Sequence, residues 1–278
     1  MRFLLVSDLH YELRHYDWTT AVASEFDAVV IPGDHIDGTS GVDGSVQIVV
    51  ILKYLERLAG RTRLLVSSGN HDLDSRDGGG ERVPRWIERV RALGIATDGD
   101  SIELANPGAG STLVTICPWW DGETARKRIG GQISRDFARR RTDPTLGPTL
   151  GPWVWVYHAP PTGSPTCWDG KKHYGDAALI KWIEFYQPDM VFTGHIHQAP
   201  FKAEGSWIDR IGKTWVFNSG RQPGPIPAHV VVDTEAREAA WFSLEGAQAA
   251  ALDKPLTRPL EPLTAPPPWL PNMAARMA

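Results

Sequence analysis

Short runs of Val, Ile, Leu and aromatic residues recur at positions 3–6, 28–31, 64–66, 113–116, 153–157, 190–192, 215–217 and 229–232. They are apolar at successive rather than alternate positions, which predicts strands buried on both faces. Between them, apolar residues return at helical spacing over 46–58, 83–93 and 177–186, the last closed by Pro188. Strand and helix alternate, so the pattern predicts an α/β fold. The later strands lie closer together across Gly and Pro turns such as Asn218-Ser219-Gly220-Arg221-Gln222-Pro223-Gly224, which favours antiparallel pairing there and a mixed sheet overall. From Asp253 onward the chain carries seven prolines and neither period. It is therefore read as one globular domain, residues 1–250, and a Pro-rich C-terminal tail, residues 251–278, flexible or polyproline in character.

Composition narrows the partners. With 278 residues, 42% hydrophobic and 22% charged, the chain can bury a substantial core. A net charge of -4 provides no basic surface for long nucleic acid, although a small anionic substrate is compatible with it if metal ions supply positive charge locally. Cys117 and Cys167 suggest neither a disulfide framework nor a thiolate zinc site, which fits a cytoplasmic protein. The first apolar run turns polar at Asp8, too short for a signal peptide or membrane span, so no membrane association is expected. Oligomeric state stays open.

The chemistry is concentrated just beyond the ends of these runs. Asp8-Leu9-His10 follows the first strand, Gly33-Asp34 the second, Gly69-Asn70-His71-Asp72 the third, His158 the fifth and Gly194-His195-Ile196-His197 the sixth. In open α/β sheets the crevice beyond the carboxyl ends of strands is where sites form, so residues remote in sequence can converge there. Each piece alone has an ordinary structural role: Asp34 as a turn residue, Asn70 as a cap, His158 as a satisfied buried imidazole. Together Asp8, His10, Asp34, Asn70, His158, His195 and His197 make a mixed nitrogen and oxygen donor set without thiolate, more than one ion needs, which suits Mn, Fe, Zn, Co or Ni. The Asp-x-His and His-x-His spacings let alternate residues beyond a strand point to one side.

This ordered set of blocks resembles the calcineurin-like metallophosphoesterases, over residues 1 to about 245. The resemblance implies a four-layer α/β/β/α sandwich with two mixed sheets and a catalytic domain holding two divalent transition-metal ions, Mn favoured. It implies that Asp8, His10 and His197 hold the first ion, that Asn70, His158 and His195 hold the second, and that Asp34 bridges them. A metal-bridging hydroxide would attack phosphorus in line. His71 would face the substrate and protonate the leaving oxygen. Asp72 would either orient the His71 ring or cap a helix.

Other residues carry weaker signals. His35 reads as a partly exposed loop histidine, with contact to substrate or to a metal ligand as the alternative, and His173 as a solvated loop residue, with contact to an anionic group as the alternative. The basic stretch from Arg126 to Arg141 reads as a solvated helix face, with phosphate steering as the alternative. Trp119, Trp120, Trp168 and Arg221 are pocket candidates. The protein Ser/Thr phosphatase branch carries Arg shortly after its second block and Glu after its Gly-Asn-His, whereas this chain has Gly33-Asp34-His35-Ile36-Asp37-Gly38 and Asp72, closer to bacterial-type phosphodiesterases. The expected activity is hydrolysis of small or nucleotide phosphodiesters. A phosphomonoesterase is the alternative, and a noncatalytic scaffold on the same fold a further one.

Overall fold

The computed structural model describes residues 1–106, 110–142 and 151–270. The strands are β1 (Arg2–Leu5), β2 (Ala28–Pro32), β3 (Arg63–Ser67), β4 (Ser75–Arg76), β5 (Arg82–Val83), β6 (Ser101–Asn106), β7 (Gly110–Ile116) and β8 (Trp153–Val156). They continue with β9 (Met190–Thr193), β10 (Ile208–Ile211), β11 (Thr214–Asn218), β12 (His229–Asp233), β13 (Glu238–Ser243), β14 (Gly246–Ala251) and β15 (Glu261–Pro262). The helices are α1 (Leu13–Val22), α2 (Gly44–Ala59), α3 (Ile87–Ala92), α4 (Glu123–Thr142) and α5 (Ala177–Tyr186). One sheet has the order β15-β14-β13-β12-β1-β2-β3 and the other β10-β11-β9-β8-β7-β6.

Both sheets are mixed, with β1, β2 and β3 parallel in one, β7, β8, β9 and β11 parallel in the other, and antiparallel strands flanking each set. Side-chain alternation then explains the continuous apolar runs. Phe3 and Leu5 of β1 point between the sheets, against Val154, Val156 and Phe192, while Leu4 lies on the opposite face with Val29 and Ile31. Over that outer face pack Tyr16 and Val22 of α1 and Ile51 and Leu55 of α2. In the second sheet Trp153 and Trp155 turn outward against Ile129 and Ile133 of α4 and Leu179 and Ile183 of α5. Four layers, α/β/β/α, result.

Helix ends follow local chemistry. Asp43 caps α2 by accepting the Ser45 backbone N–H at 2.8 Å, and Asp176 caps α5 by accepting that of Ala178 at 2.9 Å. The helix expected over 83–93 is shorter than its period, starting at Ile87 because Pro84 and the β4–β5 hairpin precede it.

Two expectations about the later chain differ from the structure. The loop Asn218 to Gly224 closes no hairpin: it carries the chain from β11 in one sheet to β12 in the other. The Pro-rich segment, read as flexible, is docked over its described part. Leu256 and Leu260 pack on the inter-sheet core, Trp269 and Leu270 on the helix-covered one, and Arg258 donates to the Ile208 carbonyl at 2.8 Å. Proline lacks the N–H that an extended segment would otherwise have to satisfy, so leucines spaced among prolines can lie on a core at little polar cost. Residues 271–278 lie outside the described part. Among the described residues no helix is long and apolar enough to cross a membrane.

Candidate metal centre

The polar blocks leave the carboxyl ends of β1, β2, β3, β8 and β9 and meet in one crevice. Backbone bonds between the first two blocks lock them together, His10 N–H to the Asp34 carbonyl at 2.9 Å and Tyr11 N–H to that of His35 at 2.9 Å. Strand-like alternation does not aim the side chains. Asp8, His10, Tyr11, Asp34 and His195 instead hold φ of 55°, 40°, 57°, 56° and 67°, the left-handed region that non-glycine residues rarely occupy. Such strain persists only where surrounding structure fixes it, and it clusters at functional sites. The glycines are explained by close approach. A Cβ on Gly69 would lie 2.2 Å from Asp34 Oδ1, and one on Gly194 would lie 2.5 Å from Asp8 Oδ2.

All seven side chains of the expected donor set come together. Asp8, His10, Asp34 and His197 offer donor atoms within 4.8 Å of one another, as do Asp34, His158 and His195, so Asp34 belongs to both groups. His158 Nε2 lies 3.3 Å from Asp34 Oδ2, and Asn70 Oδ1 is 3.2 Å from the same nitrogen. His197 Nε2 lies 3.3 Å from Asp8 Oδ1 and 3.1 Å from His10 Nε2.

The electrostatics favour a cation. Asp8 and Asp34 are buried, and among the described residues no Lys or Arg pairs with either. Burial pushes the Asp8 carboxyl up, but His197, His158 and His10 overcome that and hold it well below the usual range. Asp34 is held down to about 2, burial being outweighed chiefly by His158. The His158 ring, although burial opposes its charge, is raised to about 9 by Asp34 and Asp8. Burial lowers His10 and His195 to about 4, leaving neutral imidazoles suited to coordination. Two buried carboxylates with no Lys or Arg partner among the described residues, faced by four imidazoles and an amide oxygen, fit divalent transition-metal ions.

Neighbouring residues divide into different tasks. His71 is exposed at the crevice mouth, its ring 4.7 Å from that of His10 and its backbone N–H donating to Asp34 Oδ1 at 2.9 Å. Asp72 does not orient it. The Asp72 carboxylate is fully buried and accepts four backbone N–H groups, those of Asp34 and Gly69 at 2.8 Å, His35 at 2.9 Å and Ile36 at 3.1 Å. No hydrogen bond joins it to the His71 ring among the described residues, so its observed task is to knit the second and third blocks together. Burial and the Asp34 charge push Asp72 up to about 8, against the pull of those N–H donors. His35 is likewise no exposed loop residue. It is fully buried, Nδ1 3.0 Å from the Tyr16 hydroxyl and Nε2 3.2 Å from the Ser67 carbonyl.

The family model for calcineurin-like phosphoesterases matches residues 1–199. The chain belongs to this family. No curated protein matches. Among solved structures, a protein of Thermus thermophilus is similar with a TM-score of 0.55 at 13% identity, over 90% of this chain and 98% of that one. A purple acid phosphatase from yellow lupin (Lupinus luteus) seeds is similar with a TM-score of 0.52 at 12% identity, over 91% of this chain and 52% of that one. At such identities the likeness shows the shared fold. Family membership together with the clustered carboxylates and imidazoles makes this a metallophosphoesterase chain whose crevice is its candidate metal site.

In this phosphoesterase fold the crevice wall includes Trp119, one of the pocket candidates among the twelve tryptophans. The Trp119 ring centroid is 5.4 Å from His158 and 5.3 Å from His195, and its other neighbour Trp120 stacks at 5.4 Å. Arg126 lies over Trp120 at 3.7 Å and pairs with Asp176 at 2.7 Å, so this member of the basic stretch braces the wall. His173 Nδ1 faces the Ser164 carbonyl at 3.2 Å, within a local loop.

Proposed function

We propose that this protein is a dinuclear metal-dependent hydrolase of small or nucleotide phosphodiesters. The observation that carries the reading is Asp34, one buried carboxylate within reach of two separate donor groups. In this reading Asp8, His10 and His197 hold one ion, Asn70, His158 and His195 the other, and Asp34 serves both. The His158 Nδ1–H donates to the Pro32 carbonyl, which leaves Nε2 free as a ligand and fixes the ring. Two divalent ions, Mn favoured, supply Lewis-acid charge to the phosphoryl oxygens and activate water when bound.

The chain's own groups do the rest. His71, exposed beside the cluster, donates a proton to the departing oxygen. Trp119 packs against the His158 and His195 rings and so helps to fix their orientation. Diester preference is supported by the Gly33-Asp34-His35 and Gly69-Asn70-His71-Asp72 blocks, which resemble those of bacterial-type phosphodiesterases. The test is to strip the purified protein with chelator, rebuild it with Mn and compare bis(4-nitrophenyl) phosphate with 4-nitrophenyl phosphate. Two ions per chain and faster diester turnover are expected. A single ion would end the dinuclear assignment, and faster monoester turnover would end the diester one.

A further inference from the structure

His197 forms one wall of a cavity of about 430 Å³ that opens beside the metal cluster. Its charge is unlike that of the protein as a whole. Arg14, Lys202 and Arg221 line it with Glu12 as the one acid, whereas the whole chain has a net charge of -4. Glu12 is already taken, accepting from the Arg14 guanidinium at 2.8 and 3.1 Å. Lys202 and Arg221 are both exposed, and among the described residues no carboxylate pairs with either. Asp37, the other acid that feels the Arg221 charge, is occupied by the Thr39 backbone N–H and hydroxyl at 2.8 and 2.7 Å. Burial lowers the His15 pKa, against the pull of the Gly224 carbonyl 3.0 Å from its Nε2.

The position is tied to the cluster through the backbone. The Arg221 N–H donates to the His197 carbonyl at 3.1 Å, so the loop that presents the guanidinium rests on the residue that faces Asp8. Because His197 belongs both to the donor cluster and to the cavity wall, a substrate whose phosphorus lies at the cluster has this cavity beside it. We propose that this pocket selects phosphodiesters whose alcohol part carries a second oxyanion, a carboxylate or a phosphate, and that Arg221 and Lys202 are specificity-determining residues. This rests on the phosphodiesterase reading above. Arg221 supplies a planar fork that fits either oxyanion and Lys202 a point charge.

The test is equilibrium binding by calorimetry to the Mn-loaded protein, using three benzyl(methyl)phosphinates, in which carbon replaces both ester oxygens so that nothing can be hydrolysed: one unsubstituted, one with a carboxylate and one with a phosphonate, standing in for a phosphate, at the para position. At least one anionic ligand is expected to bind roughly tenfold tighter than the unsubstituted one, the range open to two solvent-exposed ion pairs. That advantage should shrink with added salt, disappear in Arg221→Ala combined with Lys202→Ala, and largely return in Arg221→Lys. The ligand that shows it identifies the oxyanion. Equal binding of all three, or an advantage that survives the double alanine variant, overturns the pocket assignment while leaving the phosphodiesterase reading intact. No binding of any of them overturns both.

Discussion

Buried and half-buried imidazoles occur in two settings in this protein. In the crevice, His10, His158, His195 and His197 face carboxylates and one another, with His10 Nε2 only 3.1 Å from His197 Nε2. Behind the first sheet, His35 faces a hydroxyl and a carbonyl, and His229 hydrogen-bonds the Pro227 carbonyl at 2.9 Å while stacking on Phe242. The second arrangement is architecture: each ring is neutral and held by backbone or hydroxyl groups. The first crowds lone pairs and carboxylates that stabilise one another poorly without an added cation. Burial alone therefore does not mark a site, but burial of ligating atoms against each other does.

The largest test of that contrast is Asp34→Asn. Removing the carboxylate shared by both donor groups should lower bound metal below two ions per chain and reduce turnover by roughly a thousandfold or more, with an unchanged far-UV spectrum. Retention of both ions would break the contrast. Next comes His71→Ala, expected to reduce kcat by about a thousandfold with metal content intact, because the ring sits at the mouth outside the cage. A parallel loss of metal would instead put His71 among the ligands.

Asp72→Asn probes the scaffold beneath the cage. An amide nitrogen cannot accept, so two of four buried N–H groups would be orphaned, at a cost of about 4 kcal/mol in urea unfolding. Wild-type stability in that variant would show that the four bonds do not matter. The smallest effect concerns His229. Burial lowers its pKa from 6.5 to about 4, so between those values the unfolded chain takes up a proton that the folded one refuses. Its contribution is complete above pH 6.5 and is lost as pH falls toward 4. From pH 7 to pH 5 the wild type should lose about 2 kcal/mol more than His229→Phe. Parallel curves would remove His229 from the architectural class.

The donor set was legible because each block directly follows an apolar run, and a run buried on both faces ends where the chain leaves the sheet. His35 was not, and Asp72 only as a helix cap, accepting the Gly69 N–H at the turn over residues 70–72, because their other partners come from elsewhere. Tyr16 lies on α1, whose Leu13–Val22 sequence mixes aromatic, threonine and charged residues without a clear apolar stripe. The Asp72 bonds depend on two loops closing on each other. Strands β13 and β14 were hidden for a different reason: alanine-rich Glu238–Ser243 and Gly246–Ala251 carry little strand preference and take their form from pairing beside β12. The docked proline segment was likewise invisible, since its leucines follow no period and simply lie on surfaces built by residues far upstream.

The position of β1 has a consequence for how the molecule is made. Its neighbours are β2 and β12, and Arg2 pairs with Asp233, 231 positions away. A nascent chain emerging from the ribosome thus exposes one flank of this interior strand until residues 229–233 have followed it. Such long-range closure slows folding, so the first sheet should close only once β12 is available.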